Sequence, residues 1–248
     1  MRKSRKQAIL ESKESPLNIE QKIDKAVREI AANSDNTKLE EEIYELRTQT
    51  KPHRMSSKNS QVFISKLCEI LDPVSYLEVG IARGASFFAA SHQNRGYFVG
   101  IDNWSKYKDN KPAALKMYKK VQNSRKNEKE FKIKIIESDC WERSLVEKEL
   151  SQEKFDVFFY DGNHSYKSQR KILKHFAPLL ADKLFLLVDD FCADIAPTVQ
   201  QATWQAIEDS DYELKFHRIL YNSDIAIGIH KKWHSGMLVA YLERSKNK

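Results

Sequence analysis

Tyr76-Leu77-Glu78-Val79-Gly80-Ile81-Ala82-Arg83-Gly84-Ala85-Ser86-Phe87-Phe88 is the stretch on which the fold turns. It reads as a buried strand that enters a glycine turn and opens a helix. Glycine has no side chain, so a ligand can approach the backbone closely there. A helix that begins at such a turn also offers free N–H groups to a polar or anionic ligand. Glu78 stands two positions before Gly80, at the end of the strand, where an acid suits a cationic or hydroxyl-rich ligand. The spacing Glu-x-Gly-x-x-x-Gly differs from the dinucleotide pattern Gly-x-Gly-x-x-Gly and from the phosphate loop that ends in Gly-Lys-Ser/Thr.

Outward from this turn the chain alternates helix and strand. Gln61–Leu71 reads as a helix stopped by Asp72-Pro73. Strand 75–79, helix 85–92, strand 97–101, helix 113–122 and strand 131–137 follow. Helix 142–150, strand 155–160, helix 166–180 and strand 184–188 continue the pattern. Such alternation implies a parallel sheet with helices on both faces. The apolar runs at 157–159 and 184–188 fit central strands buried on both sides. Further on, helix 197–207 leads to strand 212–220, a turn at 221–223, strand 226–230 and a final helix over 233–244. The two late strands are expected to form an antiparallel hairpin.

Before the sheet, residues 1–14 are polar and basic and read as disordered. Ile19, Ile23, Val27 and Ile30 give one apolar helical stripe, and 38–47 gives a second, acidic amphipathic segment. We therefore divide the chain into a disordered and helical extension over 1–58 and an α/β domain over 59–248. The extension could cover the site, pair two copies into a homo-oligomer, or be a solvated helical hairpin with no function.

The chain of 248 residues is 41% hydrophobic and 31% charged, a globular composition. No apolar run reaches the roughly 18–20 residues of a membrane helix, and no signal peptide is read, so a cytoplasmic protein with no membrane partner is expected. Cys68, Cys140 and Cys192 are isolated, which argues for reduced, mostly buried thiols rather than disulfides or zinc. The net charge of +7 permits nucleic acid but is spread over the whole chain.

In an open α/β sheet the ligand crevice lies beyond the carboxyl ends of the strands. There the sequence places Glu78, Gly80 and Gly84, then Asp102, then Asp139-Cys140-Trp141, then Asp161-Gly162-Asn163-His164, and then Asp189-Asp190. An acid after the second strand suits two ribose hydroxyls. Asp139 suits an adenine amino group, with Trp141 stacking on the ring. In this order and spacing, residues 74–190 resemble a class I S-adenosylmethionine-dependent methyltransferase. The resemblance implies a Rossmann-like seven-stranded sheet, mostly parallel, with a C-terminal antiparallel hairpin. It implies that Glu78, Gly80 and Gly84 frame the methionine end of the cofactor, Asp102 the ribose, and Asp139 with Cys140 the adenine.

Phe159-Tyr160-Asp161-Gly162-Asn163-His164-Ser165-Tyr166, with Val188-Asp189-Asp190-Phe191, is also similar to the Asp-Gly-Asp-His-Ser-Tyr signature of macrocin-type and related bacterial sugar O-methyltransferases. That likeness implies that Asp161, Asp189 and Asp190 bind Mg²⁺ or another divalent cation, and that His164 or Asp161 is the catalytic base. Three neighbouring carboxylates are costly unless a cation sits among them or a pKa rises, and an all-oxygen set suits Mg²⁺ or Ca²⁺. Asn163 for Asp, Lys167, and Ala181-Asp182-Lys183 for a Pro-Gly-Gly turn are departures from the signature.

The expected function is thus metal-assisted O-methylation of a small-molecule hydroxyl, on a sugar, polyketide or other metabolite. A methyltransferase acting on RNA or protein is the alternative within the fold. The Asn/Asp-Pro-Pro-Tyr/Phe motif of amino-directed nucleic-acid enzymes is missing after the fourth strand, where Asp161-Gly162 stands instead. A silent, S-adenosylmethionine-binding scaffold is the alternative from another class. Trp104, Tyr107 and Phe191 could line the acceptor pocket or serve as packing.

Overall fold

The computed structural model describes residues 16–32, 56–192, 196–221, 233 and 235–245. Seven strands form one sheet: β1 (Val74–Val79), β2 (Gly96–Asp102), β3 (Phe131–Glu137), β4 (Phe155–Tyr160), β5 (Leu180–Val188), β6 (Tyr212–Leu220) and β7 (Met237–Arg244). Their order is β3-β2-β1-β4-β5-β7-β6. β1 to β5 pair in parallel, and β7 runs antiparallel to both β5 and β6. The chain steps outward from β1 to β3 and then returns to place β4 on the other side of β1. That reversal puts the crevice between the ends of β1 and β4.

Helices α1 (Pro16–Ala32), α2 (Lys58–Ile70), α3 (Ala85–Ser91), α4 (Asn110–Ser124), α5 (Tyr166–Phe176) and α6 (Ala196–Glu208) flank the sheet. The alternation of strand side chains divides the core in two. Tyr76 and Phe98 face the layer of Val62, Phe63, Phe87 and Met117, whereas Leu77 and Val99 face that of Ile172, Leu173, Phe176 and Val199. α5 shows the pattern clearly: Gln169, Ile172, Leu173 and Phe176 point inward and its cations point out. Ser57 and Ser165 cap α2 and α5, each accepting the N–H three residues on.

The N-terminal stripe is real. Ile23 and Ile30 of α1 are buried in the first core layer. Arg218 on β6 pins the outer side of α1 through Asp24 (2.7 Å) and Glu20 (2.7 Å). The segment 38–47, the expected disorder of 1–14 and the strand expected at 226–230 lie outside the described residues.

Four expectations are corrected. The final helix over 233–244 is instead strand β7, inserted between β5 and β6. Met237–Leu242 is a continuous apolar run, every residue of it buried, and such a run fits a doubly covered strand as well as a helix. The helix expected over 166–180 ends at Phe176, and a 3-10 turn at Ala177–Leu179 hands the chain to β5. Pro178 has no N–H for a continuing helix. The helix expected over 142–150 is reduced to a π turn, Leu145–Glu149. Of the three cysteines Cys192 is exposed, contrary to a mostly buried set, and all three are free.

Candidate active site

Beyond the sheet ladder the strand ends are stitched by backbone bonds. Gly80 N–H donates to the Ile101 carbonyl (2.8 Å), Asp161 N–H to Val79 (2.9 Å), and Asp189 N–H to Tyr160 (3.2 Å). These bonds gather the ends of β1, β2, β4 and β5 around one point. Gly80 has φ +91°, and a Cβ built on it would lie 2.0 Å from the Asp161 carbonyl oxygen. The first glycine thus admits the end of β4 to the turn. Gly84, at φ +87°, starts α3, and its missing Cβ makes room for the Phe88 ring.

Glu78 lies at the floor of this region, fully buried. Tyr76 donates to its Oε2 (2.5 Å) and Ser86 to its Oε1 (2.6 Å). Burial pushes its carboxyl up to about 8, against these two hydrogen bonds, with the charges of Asp189 and Asp102 adding to the rise. Asp161 and Asp189 are also raised well above the usual carboxylate range. Desolvation is the main cause for each, followed for Asp161 by the charges of Glu78 and Asp190, and for Asp189 by those of Asp161 and Asp190. The site is therefore a desolvated acidic pocket, to which a cationic ligand is complementary.

The folded state holds the Glu78 proton more tightly than the unfolded chain does. The stability this contributes is complete below the ordinary glutamate range and is lost as pH rises through about 8. Glu78→Gln is expected to flatten the decline of Tm between about pH 5 and about pH 9, as read by calorimetry at a series of pH values. An unchanged slope would show that Glu78 is ionised throughout.

Asp102 holds the glycine turn. Its Oδ2 accepts the Ala82 N–H (2.8 Å) and its Oδ1 the Trp104 N–H (2.6 Å). Trp104 Nε1 donates back to the Ala82 carbonyl (2.7 Å). Ala82 and Trp104 both adopt positive φ, +47° and +48°, a conformation that L residues keep only when their surroundings enforce it. Trp104 and Phe191 are buried packing residues, so of the three aromatics weighed for the acceptor pocket only Tyr107 is exposed. Asp139 Oδ1 accepts the Trp141 N–H (3.0 Å), and the Cys140 carbonyl is 2.8 Å from His175 Nε2. One face of Trp141 meets His175 edge-on, and Lys171 lies 4.6 Å from the ring centroid. Burial raises the Cys140 thiol to about 12, which keeps it protonated.

His164 Nε2 lies 3.5 Å from Asp161 Oδ1 and 3.6 Å from Asp190 Oδ2, within charge-pairing reach of both. Asp190 turns back into the site at φ +55°. His164 Nδ1 is buried with no hydrogen-bond partner. Asp161, Asp189 and Asp190 have donors suited to Mg²⁺, but no group of three or more His, Cys, Asp or Glu among the described residues is arranged to hold a metal ion. An imidazole nitrogen stands between two of the three carboxylates instead.

The structure thus brings Glu78, Gly80, Asp102, Asp161, His164, Asp189 and Asp190 to one crevice, while Asp139, Cys140 and Trp141 form its rim after β3. The sequence reading missed Tyr76 and Ser86, which hold Glu78, and the Ala82–Trp104 clasp. Tyr76 was findable, since it shares a strand face with Glu78 two residues on. The clasp has no such signal, because positive φ at Ala82 and Trp104 is imposed by the neighbours.

Residues 77–191 match a family model described as a methyltransferase domain. None of the curated proteins matches the sequence. Among solved structures, an O-methyltransferase from Bacillus cereus in complex with SAH superposes with a TM-score of 0.56 at 13% identity, over 89% of this chain and all of that one (100%). The SAH-bound Podospora anserina methyltransferase PaMTH1 gives 0.55 at 16% identity, covering 90% and 96%. A provisionally assigned O-methyltransferase from Klebsiella pneumoniae gives 0.57 at 13% identity, covering 91% and 99%. The seven-stranded sheet, with its one antiparallel strand β7, is the Rossmann-like fold of these methyltransferases. No described helix is long and apolar enough to cross a membrane.

Proposed function

With a methyltransferase domain over residues 77–191 as the premise, we propose that this chain transfers a methyl group from S-adenosylmethionine to a hydroxyl oxygen of a small molecule such as a sugar or polyketide. One observation carries the reading: carboxylates at four strand ends, Glu78 and Asp189 buried and Asp102 and Asp161 half-buried, converge on a tight glycine turn. S-adenosylmethionine is a cation at its sulfonium and ammonium groups, and it relieves the repulsion among those acids. The cofactor brings its own leaving group, so the protein supplies orientation and a base. Glu78 and the Gly80–Gly84 turn are assigned to the methionine end, Asp102 to the ribose, and Asp139, Cys140 and Trp141 to the adenine.

His164 is the base in this reading. Its Nε2 side faces the carboxyl groups of Asp161 and Asp190, which are placed beside the imidazolium that forms. Its Nδ1 is the unpartnered atom, and it takes the hydroxyl proton once the acceptor enters and the ring is uncovered. Asp161 orients the ring and is the alternative base.

Metal assistance is a second reading, motivated by the cost of holding Asp161, Asp189 and Asp190 so close together. If His164 swung away, these three would hold Mg²⁺, which when bound makes a hydroxyl more acidic.

Calorimetry with SAH tests the core proposal. SAH is expected to bind, and Asp102→Ala to weaken it at least tenfold through loss of the ribose acceptor and of the Ala82 clasp. No binding to the wild type sinks the methyltransferase reading. Repeating the titration in EDTA and in Mg²⁺, with Asp189→Asn alongside, tests the metal. A Mg²⁺ heat that Asp189→Asn abolishes supports it, and no Mg²⁺ heat rejects it.

A further inference from the structure

Outside the crevice, α5 presents a row of cations. Lys167, Lys171 and Lys174 recur at i, i+4 and i+7, so they stand on one face over about 10 Å. All three are exposed, and no carboxylate among the described residues pairs with them. With Tyr166, Arg170 and Asp209 they line a groove of about 640 Å³ between α5 and the end of α6. The one acid of that group, Asp209, is held by Arg170 (2.7 Å). Lys171 also lies over the Trp141 ring and Lys174 adds to the field on Asp209, yet the four cations lining the groove face this single carboxylate.

The groove begins at the N-terminal end of α5, the end that follows His164 in the chain. Tyr166 is the first residue of α5, two positions after His164. A volume of about 640 Å³ is in the range of a small-molecule site. Lysine heads on flexible stems bind phosphate as point charges and can converge on one group. Tyr166 adds an aromatic ring at the end nearest His164.

We propose that this groove binds a diphosphate group carried by the methyl acceptor, so that the acceptor is a nucleotide-linked small molecule whose hydroxyl reaches His164 while its phosphates lie along Lys167 and Lys174. The assignment rests on the reading of the crevice as the methyl-transfer site. The sugar would then lie in the crevice and the diphosphate on the lysine row of α5.

The test is calorimetry at low ionic strength with inorganic pyrophosphate, with uridine diphosphate, and with a single-stranded RNA of about ten nucleotides. The double variant Lys167→Glu/Lys174→Glu is titrated beside the wild type. Both small anions are expected to bind the wild type, and at least tenfold more weakly to the variant, while SAH affinity is the same in both. The proposal is overturned if neither anion binds the wild type, if the variant binds them equally well, or if the RNA binds far more tightly in proportion to its length. Failure of SAH to bind, with pyrophosphate binding intact, would instead remove the methyl-transfer reading and leave the groove as an anion site.

Discussion

Gly80→Ala is expected to lose both cofactor binding and a large part of the folding free energy. The new methyl would sit 2.0 Å from the Asp161 carbonyl oxygen and 2.6 Å from its carbonyl carbon, at a φ of +91°. Those neighbours are backbone, and both ends of the clash are fixed in the sheet, Gly80 by its bond to Ile101 and Asp161 by its bond to Val79. The left-handed conformation costs an L residue roughly 1–2 kcal/mol and overpacking roughly 1–3 kcal/mol more. Their sum is a large share of the about 5–15 kcal/mol by which domains are stable. Gly84→Ala is the control. Its φ is similar at +87°, but the methyl would meet the Phe88 side chain rather than backbone. Urea titration should therefore rank Gly80→Ala well below Gly84→Ala, and SAH should bind only the latter. Equal losses would mean that backbone crowding at the β1/β4 junction does not govern the turn.

The second large effect is expected at the base. His164→Ala should lower kcat for a hydroxyl acceptor by roughly 10²–10⁴ while leaving SAH affinity within about threefold, because His164 touches carboxylates rather than the glycine turn. The measurement is transfer of labelled methyl from S-adenosylmethionine to a panel of sugars and sugar nucleotides, with the pH profile of kcat recorded. Removal of a base also removes the limb of that profile on which the rate rises with pH. His164→Gln keeps the volume and separates packing from proton transfer. If His164→Ala retains the rate on an acceptor that the wild type methylates, the base is Asp161.

How much of this could be read beforehand differs between the sheet and the site. β1 to β5 were legible because glycine, proline and the change from strand to helix periodicity all mark the same boundaries, as at Asp72-Pro73 and Val79-Gly80. β7 was not, because nothing local separates Met237–Leu242 from a buried helix; only the open edges of β5 and β6 decide it. The acids at the strand ends were legible as a set, since topology alone brings such positions together. Their hydrogen-bond partners were not. That Glu78 is bound by Tyr76 and Ser86, and Asp102 by two backbone N–H groups, depends on side-chain direction and on strained φ at Ala82 and Trp104. The lysine row on α5 went unread, because the positive charge looks spread over the whole chain until α6 closes the other wall of the groove.

The place of β7 has a consequence for biosynthesis. It is the latest strand in chain order, yet it lies inside the sheet, giving β5 and β6 their shared partner. Until residues 237–244 leave the ribosome, β5 presents an unpaired edge along Leu184–Val188, all of it apolar, and β6 has no neighbour at all. An incomplete nascent chain thus carries the kind of bare strand edge on which chains stick to one another. A trigger-factor-like holdase that shields β5 over the last tens of residues of synthesis would have most to protect here, and a stop codon before Met237 should yield inclusion bodies rather than a shortened soluble protein.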